Sequence, residues 1–457
     1  MRKLLLFVFC LPIIAQAQVN QDSINIKKMV DEIMTNGKAY DLLRELTKNI
    51  GGRLAGSPQQ QNAAIWGKRN MEAYHPDQVF MQPCKTPNWQ RGGKDFAAIT
   101  SVNGKAQNEP LAALALGNSL GSNGLIEAEL LAVSNFDELE KRKEEVKGKI
   151  VYFNSQFNPS RIQTFTAYGE TGIYRSTGAS RAAKYGAVGV MIHSLSSAPD
   201  NEPHTGGMRY DESLPKIPAV ALGPNDAKAL WEAAKTSKIR VQMQTYGFFL
   251  PDAEENNVVA ELKGTEFPDE IITIGGHLDS WDVNEGAHDD GAGIVQTMEL
   301  LRAMKALNYQ PKHTIRFVLF ANEENGGKGG AKYAELAKLN KEKHILALES
   351  DEGGFTPRAI AVTCSPAQLA RFQTWAPFLK PYGTEVTTGG GGADIGPLTG
   401  YDKNIIMSSM IPDSQRYFDL HHAKTDVFEN VNKRELLLGA VNIAAFIYLV
   451  DQYGVNP

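Results

Sequence analysis

Cysteine is scarce, with 3 residues in a chain of 457. Cys10 lies within an N-terminal apolar run. That leaves Cys84 and Cys364, far apart and in no C-x-x-C spacing. A disulfide framework and a thiolate metal cage are therefore excluded as the source of stability, and a hydrophobic core must hold the fold. An excess of positive charge is also lacking: Lys and Arg total 47 against 52 Asp and Glu, a net charge of -5. No basic footprint for nucleic acid exists in such a chain. Apolar runs long enough to span a bilayer, roughly 18 residues or more, are missing too. The two longest are Leu4–Ala15 and Leu436–Val450, and Asn442 interrupts the second. Repeats and long low-complexity tracts do not occur.

The amino terminus reads as a targeting segment. Arg2 and Lys3 precede the apolar run, and Ala15-Gln16-Ala17 offers a small-x-small cleavage site. Cleavage is expected between Ala17 and Gln18, which makes residues 1–17 a signal peptide. The expected product is exported, periplasmic or secreted, without a stable membrane anchor. Leu436–Val450 is expected to be a buried C-terminal helix, and the mixed-charge run Asp137–Lys149 a solvated helix face.

From Ile271 onward, short β-rich runs alternate with helical patterns. Ile271–Ile274, Thr314–Phe320 and Ile345–Leu348 read as strands, and Ile294–Leu307 and Ala331–Leu339 as helices. Such alternation predicts βαβ units, hence an α/β fold with a mostly parallel, mixed sheet sandwiched by helices. An earlier segment has apolar runs of its own: Gly148–Phe153, Ala187–Ile192 and Ile217–Leu222 as strands, a small-residue helix starting near Gly178, and another near Asn225. Polar stretches around Gln107–Glu109 and Pro251–Asn257 bound it. These limits place an inserted domain at 109–248 within a main domain formed by 18–108 and 249–457.

Chemistry-bearing residues gather after the predicted strands. His277 and Asp279 follow the first in GGHLDSWD, Glu323 and Glu324 the second in FANEENGG, and Asp351 the third in LESDEGG. Asp289 and Asp290 stand at a helix mouth in GAHDDGAG, and His421 and His422 lie in DLHHAKTDV. Each motif alone has a plain structural explanation, such as a surface pair or an N-cap. Together, beyond consecutive strands of one parallel sheet, they converge on one rim. Carboxylates packed that closely repel unless a cation compensates them. Carboxylate and imidazole without thiolate suit Zn, Mn or Co, and an Asp-rich set can bridge two ions. Between two ions a water becomes a hydroxide nucleophile, and a carboxylate that binds no metal is then needed as general base.

These motifs resemble the co-catalytic zinc metallopeptidases of family M28, in particular the plasma glutamate carboxypeptidase group. The resemblance covers nearly all of the chain after residue 17. It includes the inserted segment, which is similar to a protease-associated (PA) domain through GKIVYF, SRAAKYGAVGVMIHS and KIPAVAL. It implies two Zn2+ ions, with Asp289 bridging them, His277 and Asp351 completing one shell, and Glu324 and His422 the other. Glu323 is then the general base, Asp279 orients His277, and Asp290 follows the bridging residue across a cis peptide. Family spacing puts the ligand four residues before Asp426, which selects His422 and leaves His421 on the site wall. His288 is not a ligand position. Asp394, just after the Gly-rich run Gly389–Gly392, matches a Gly-rich-loop Asp of the family, which lines the substrate cleft or holds a structural turn. A short peptide substrate, cleaved as a dipeptide or from its amino terminus, is implied by the resemblance, as is a homodimer.

Three other readings compete. Gly117-Asn118-Ser119-Leu120-Gly121 fits the G-x-S-x-G of serine hydrolases, but no helix former follows it. A glutaminyl-cyclase-like enzyme would use one zinc in the same fold, and a binding protein would have no hydrolysis at all.

Overall fold

The computed structural model describes residues 10–456. Helix Cys10–Asn36 runs without interruption across the expected cleavage point, while Arg2, Lys3 and the start of the apolar run lie outside the described residues. The chain then crosses the edge of a first sheet through β1 (Gln78–Gln90). It next builds a second sheet from β2 (Phe96–Val102), β3 (Lys105–Leu111), β4 (Ala113–Ala115), β5 (Ile126–Val133), β6 (Ile150–Phe153), β7 (Gly189–His193), β8 (Ala219–Leu222) and β9 (Ile239–Gln244). It returns to the first sheet in β10 (Phe248–Leu262), β11 (Phe267–His277), β12 (His313–Phe320), β13 (Lys343–Glu349), β14 (Pro357–Thr363), β15 (Glu385–Thr388) and β16 (Ile406–Pro412).

The first sheet has the order β1-β10-β12-β11-β13-β16-β14-β15. Its centre, β12-β11-β13-β16, is parallel, whereas β1, β10 and β14 introduce antiparallel pairs. The sheet is mixed, as expected. Side-chain alternation shows why both faces are covered. On β12, Ile315, Phe317 and Leu319 enter the larger core with helices Ala292–Ala306 and Lys433–Tyr453, while Val318 and Phe320 face the core under helix Lys328–Asn340. Lys433–Tyr453 is long and apolar enough to cross a membrane, but it is packed inside the protein. Asn432 caps its first turn by accepting from the Arg434 and Glu435 N–H groups, and Gly454 ends it at φ +65°.

The second sheet has the order β3-β2-β9-β5-β6-β7-β8-β4 and an apolar core on each face. Its extent differs from the expected 109–248. It begins at Phe96, and residue 109 falls inside β3, because β2 pairs with both β3 and β9. The polar stretch Pro251–Asn257, expected to bound the inserted domain, belongs to β10 and pairs with β1. Pairing with a neighbouring strand, not an apolar face, satisfies that backbone. Pro83 and Pro87 are tolerated in β1 because it is the edge strand. The small-residue helix also lies earlier than predicted, at Thr164–Ala183, so Gly178 is near its end. Cys84 and Cys364 are both free, on or beside strands near opposite ends of the first sheet, and burial pushes the Cys84 thiol up to about 12.

Candidate metal centre

The rim beyond the carboxyl ends of β11, β12 and β13 carries the predicted residues. His277 is the last residue of β11, Glu323 and Glu324 occupy the turn after β12, and Asp351 follows β13. These three strands are adjacent and parallel, so loops far apart in sequence meet there. Asp289 and Asp290 enter from the segment before helix Ala292–Ala306, joined by a cis peptide bond. His421 and His422 follow the short helix Tyr417–Leu420.

Asp289 is the hub. Its Oδ1 lies 3.1 Å from His277 Nε2, and its Oδ2 lies 3.2 Å from His422 Nε2. On one side His277 Nε2 is 3.3 Å from Asp351 Oδ1, and on the other His422 Nε2 is 3.0 Å from Glu324 Oε2. His421 stacks on His422 at 3.5 Å between ring centroids, and its Nε2 is 3.6 Å from Asp289 Oδ2. His422 is therefore the nearer imidazole to both carboxylates. The donors form three overlapping groups able to hold an ion: Asp289–His421–His422, His277–Asp290–Asp351 and His277–Asp289–Glu324.

The residues present fit metal ions. Asp289 Oδ2, Glu324 Oε1 and Asp351 Oδ1 are buried and accept no well-formed hydrogen bond. A buried unpaired carboxylate oxygen is costly, and a bound cation removes that cost. The electrostatics point the same way. Burial, with the nearby Asp289 carboxylate, pushes Glu324 up to about 7. Burial likewise raises Glu323, opposed by His277 and assisted by Asp351 and Glu324. Burial opposes a charge on His277, yet the carboxylates of Asp351 and Asp289 hold its proton well above the usual histidine range. Glu323 itself stays partly open to solvent, unlike its neighbour Glu324.

Several supporting contacts differ from expectation or carry no sequence signal. Asp279 holds His277 through its backbone carbonyl, 3.0 Å from Nδ1, not through its carboxylate at 3.7 Å. Its carboxylate instead accepts the backbone N–H groups of Glu323 at 2.9 Å and Glu324 at 3.3 Å, which shapes the Glu-Glu turn. Asp290 accepts from the His277 and Gly293 N–H groups, so both of its oxygens already have backbone partners. Asp426 accepts from the N–H groups of His288 at 2.8 Å and Asp289 at 3.1 Å. His288 is turned away: it stacks on Phe355 and accepts from the Gly354 N–H. Asp394 is only 1% exposed, with neither carboxylate oxygen hydrogen-bonded, and its own N–H donates to Glu349 Oε2. Enclosure that complete separates it from any open cleft. Arg53, also fully buried, is a residue that the sequence motifs do not reveal. It donates to the carbonyls of Leu278, Glu285 and Gly286 and ties the His277 loop to the Asp289 loop. An isolated Arg in GGRLAG carries no local signal of such a role.

Ser119 has no nucleophile geometry. It is fully buried, and its Oγ accepts from the Ala219 N–H at 2.9 Å. Ser119→Ala is expected to leave hydrolysis by the purified protein intact, whereas loss of turnover without loss of metal would return the serine-hydrolase reading.

Comparison with known proteins places this rim in a family. The profile of Peptidase family M28 matches residues 257–447. The chain is 33% identical to carboxypeptidase Q of Bos taurus over 439 residues, covering 94% of this chain and 89% of that protein. It is 35% identical to carboxypeptidase Q of Xenopus laevis over 410 residues, covering 88% and 84%. The chain belongs to peptidase family M28. Among solved structures it is similar to a peptidase M28 precursor from Shewanella amazonensis, with a TM-score of 0.89, 30% identity, and 96% and 99% of the two chains covered. An aminopeptidase from Aneurinibacillus sp. strain AM-1 shares the fold, with a TM-score of 0.64, 19% identity, and 94% and 98% covered.

Proposed function

We propose that the protein is an exported zinc exopeptidase that hydrolyses dipeptides or removes the amino-terminal residue of short peptides. The observation that carries this reading is Asp289, whose two oxygens face two separate donor pairs, His277 with Asp351 and His422 with Glu324. Those five residues would hold two zinc ions, with Asp289 shared. When bound, the ions supply Lewis acidity, polarising the scissile carbonyl and acidifying the attacking water. Glu323 remains outside the five, on the accessible side of the same turn. Its carboxylate takes the proton of the attacking water and returns it to the amine leaving group. The backbone hydrogen bonds to Asp279 keep Glu323 and Glu324 on different tasks by fixing their turn.

The second sheet's unit is read as a PA-like domain that walls the cleft and restricts it to short substrates. Kinship with carboxypeptidase Q and the apolar N-terminal run support the peptidase and export readings. The test is a panel of free dipeptides, aminoacyl amides and blocked peptides, with zinc and after chelation. Free dipeptides or aminoacyl substrates should be cleaved, chelation should abolish turnover, and two zinc ions per chain should restore it. Cleavage of blocked proteins but not short free peptides would overturn the exopeptidase assignment. One ion per chain with no hydrolysis of any substrate in the panel would favour the cyclase-like alternative.

A further inference from the structure

The second sheet's unit touches the metal rim closely, through backbone and side chains alike. Two of its segments, Gly117–Asn118 and His204–Gly207, press against three of the metal loops. At Gly117 a Cβ would fall 1.8 Å from the Trp281 ring, in the loop that carries His277 and Asp279. At Gly207 a Cβ would fall 2.8 Å from the Glu324 carbonyl oxygen. Gly117 and Gly207 pair with each other in an isolated β-bridge. Beside them, Asn118 donates to the Asn325 carbonyl at 3.1 Å, next to Glu324.

The tightest contact is with the histidine pair. Thr205 N–H donates to the His422 carbonyl at 3.0 Å, and His422 Nδ1 lies 3.3 Å from the Thr205 carbonyl. His204 Nδ1 lies 2.6 Å from the His421 carbonyl. Gly206 adopts φ +136°, and a Cβ there would meet Arg175 Nη1 at 2.5 Å and His422 Nδ1 at 2.7 Å. His422 itself sits at φ +64°, a left-handed conformation that a histidine seldom adopts unaided. The reciprocal bonds with Thr205 hold it there. They also keep Nδ1 against the Thr205 carbonyl, with Arg175 Nη1 3.4 Å from the same nitrogen, and turn Nε2 toward Asp289 and Glu324. A ligating histidine needs this kind of partner on its other ring nitrogen.

We infer that the segment His204–Gly207 is a positioning strap: the second sheet's unit builds the half of the metal centre that contains Glu324 and His422, and leaves the His277–Asp351 half to the first sheet. This rests on the ligand set proposed above. It predicts unequal damage when the strap is loosened. A unit that only covered the cleft would change substrate preference and leave metal affinity alone.

The experiment measures zinc content and zinc affinity on the full chain, by metal analysis and chelator competition, for Gly206→Ala, Asn118→Gly and His422→Ala. In Gly206→Ala one ion should bind as in the parent and the other about 10–100-fold more weakly, as for loss of other outer-shell partners. Excess zinc should recover hydrolysis. Asn118→Gly, which accommodates the φ of +68° at that position, should weaken the same ion by a smaller factor. Equal melting of the metal-free variants and the metal-free parent would separate this effect from misfolding. If Gly206→Ala does not fold, Asn118→Gly decides alone. Parental affinity for both ions in the folded strap variants would overturn the inference, as would equal weakening of both. His422→Ala keeps the two levels apart: if it retains two ions, the proposed ligand set is wrong. If it loses one while the strap variants lose none, only the strap fails.

Discussion

Glu323→Gln should retain its full zinc complement while turnover falls about 100- to 10,000-fold, the usual cost of removing a general base. The substitution nearly preserves size and keeps the backbone N–H that donates to Asp279. It removes the carboxylate able to accept a proton. Glu324→Gln should behave differently, because Glu324 Oε2 faces His422 at 3.0 Å within the donor set. One ion should be weakened, with activity partly recovered at high zinc. Metal analysis beside kcat on both variants separates two neighbours of identical chemistry. Loss of metal in Glu323→Gln with retention in Glu324→Gln would reverse the two roles, and full activity in both would place the chemistry elsewhere.

Asp289→Asn should lose both ions, and turnover with them, by at least as much as Glu323→Gln. Both oxygens of Asp289 are engaged, one toward each imidazole, and an amide offers a single weaker acceptor in their place. Its NH2 would point at one of the two donor pairs and repel a cation there. Removing a shared negative charge also lowers the attraction of the whole site for divalent ions. The fold itself should persist, since the Asp289 N–H still donates to Asp426 Oδ2. Near-stoichiometric binding of two ions to this variant would remove Asp289 from the bridging position.

Much of the candidate metal rim is legible as a pattern. Strands β11, β12 and β13 are short, rich in β-branched and apolar residues, and each leads into a polar motif. Parallel neighbours deliver their C-terminal loops to one edge of the sheet, so His277, Glu324 and Asp351 meet as the pattern requires. The supporting residues are less legible. Asp279 is expected to orient His277, and the contact runs through its backbone carbonyl because the carboxylate is taken by two N–H groups of another loop. For Asp394 the motif leaves a cleft position and a structural turn open, and its enclosure beside Glu349 favours the turn. Arg53 has no motif at all. Its three acceptors are backbone carbonyls, which look alike in every sequence.

The limits of the second unit are displaced for a related reason. Polarity marks Gln107–Glu109 and Pro251–Asn257 as boundaries, but polar residues form strands wherever a neighbouring strand pairs with their backbone. Hydrophobic periodicity detects burial of side chains and is blind to such pairing. Residue type and order alone were enough to specify an α/β protein with carboxylates and imidazoles clustered at the ends of parallel strands. Membership of peptidase family M28 came with that pattern, because local motifs and their order carry it. The folded chain was needed to set Asp289 between two donor pairs, to leave Glu323 partly exposed while Glu324 is buried, and to bring a glycine of the second sheet's unit against His422. Those are distances between segments remote in sequence, set by sheet order and by close backbone contacts, and no local pattern of residue types says which segments meet.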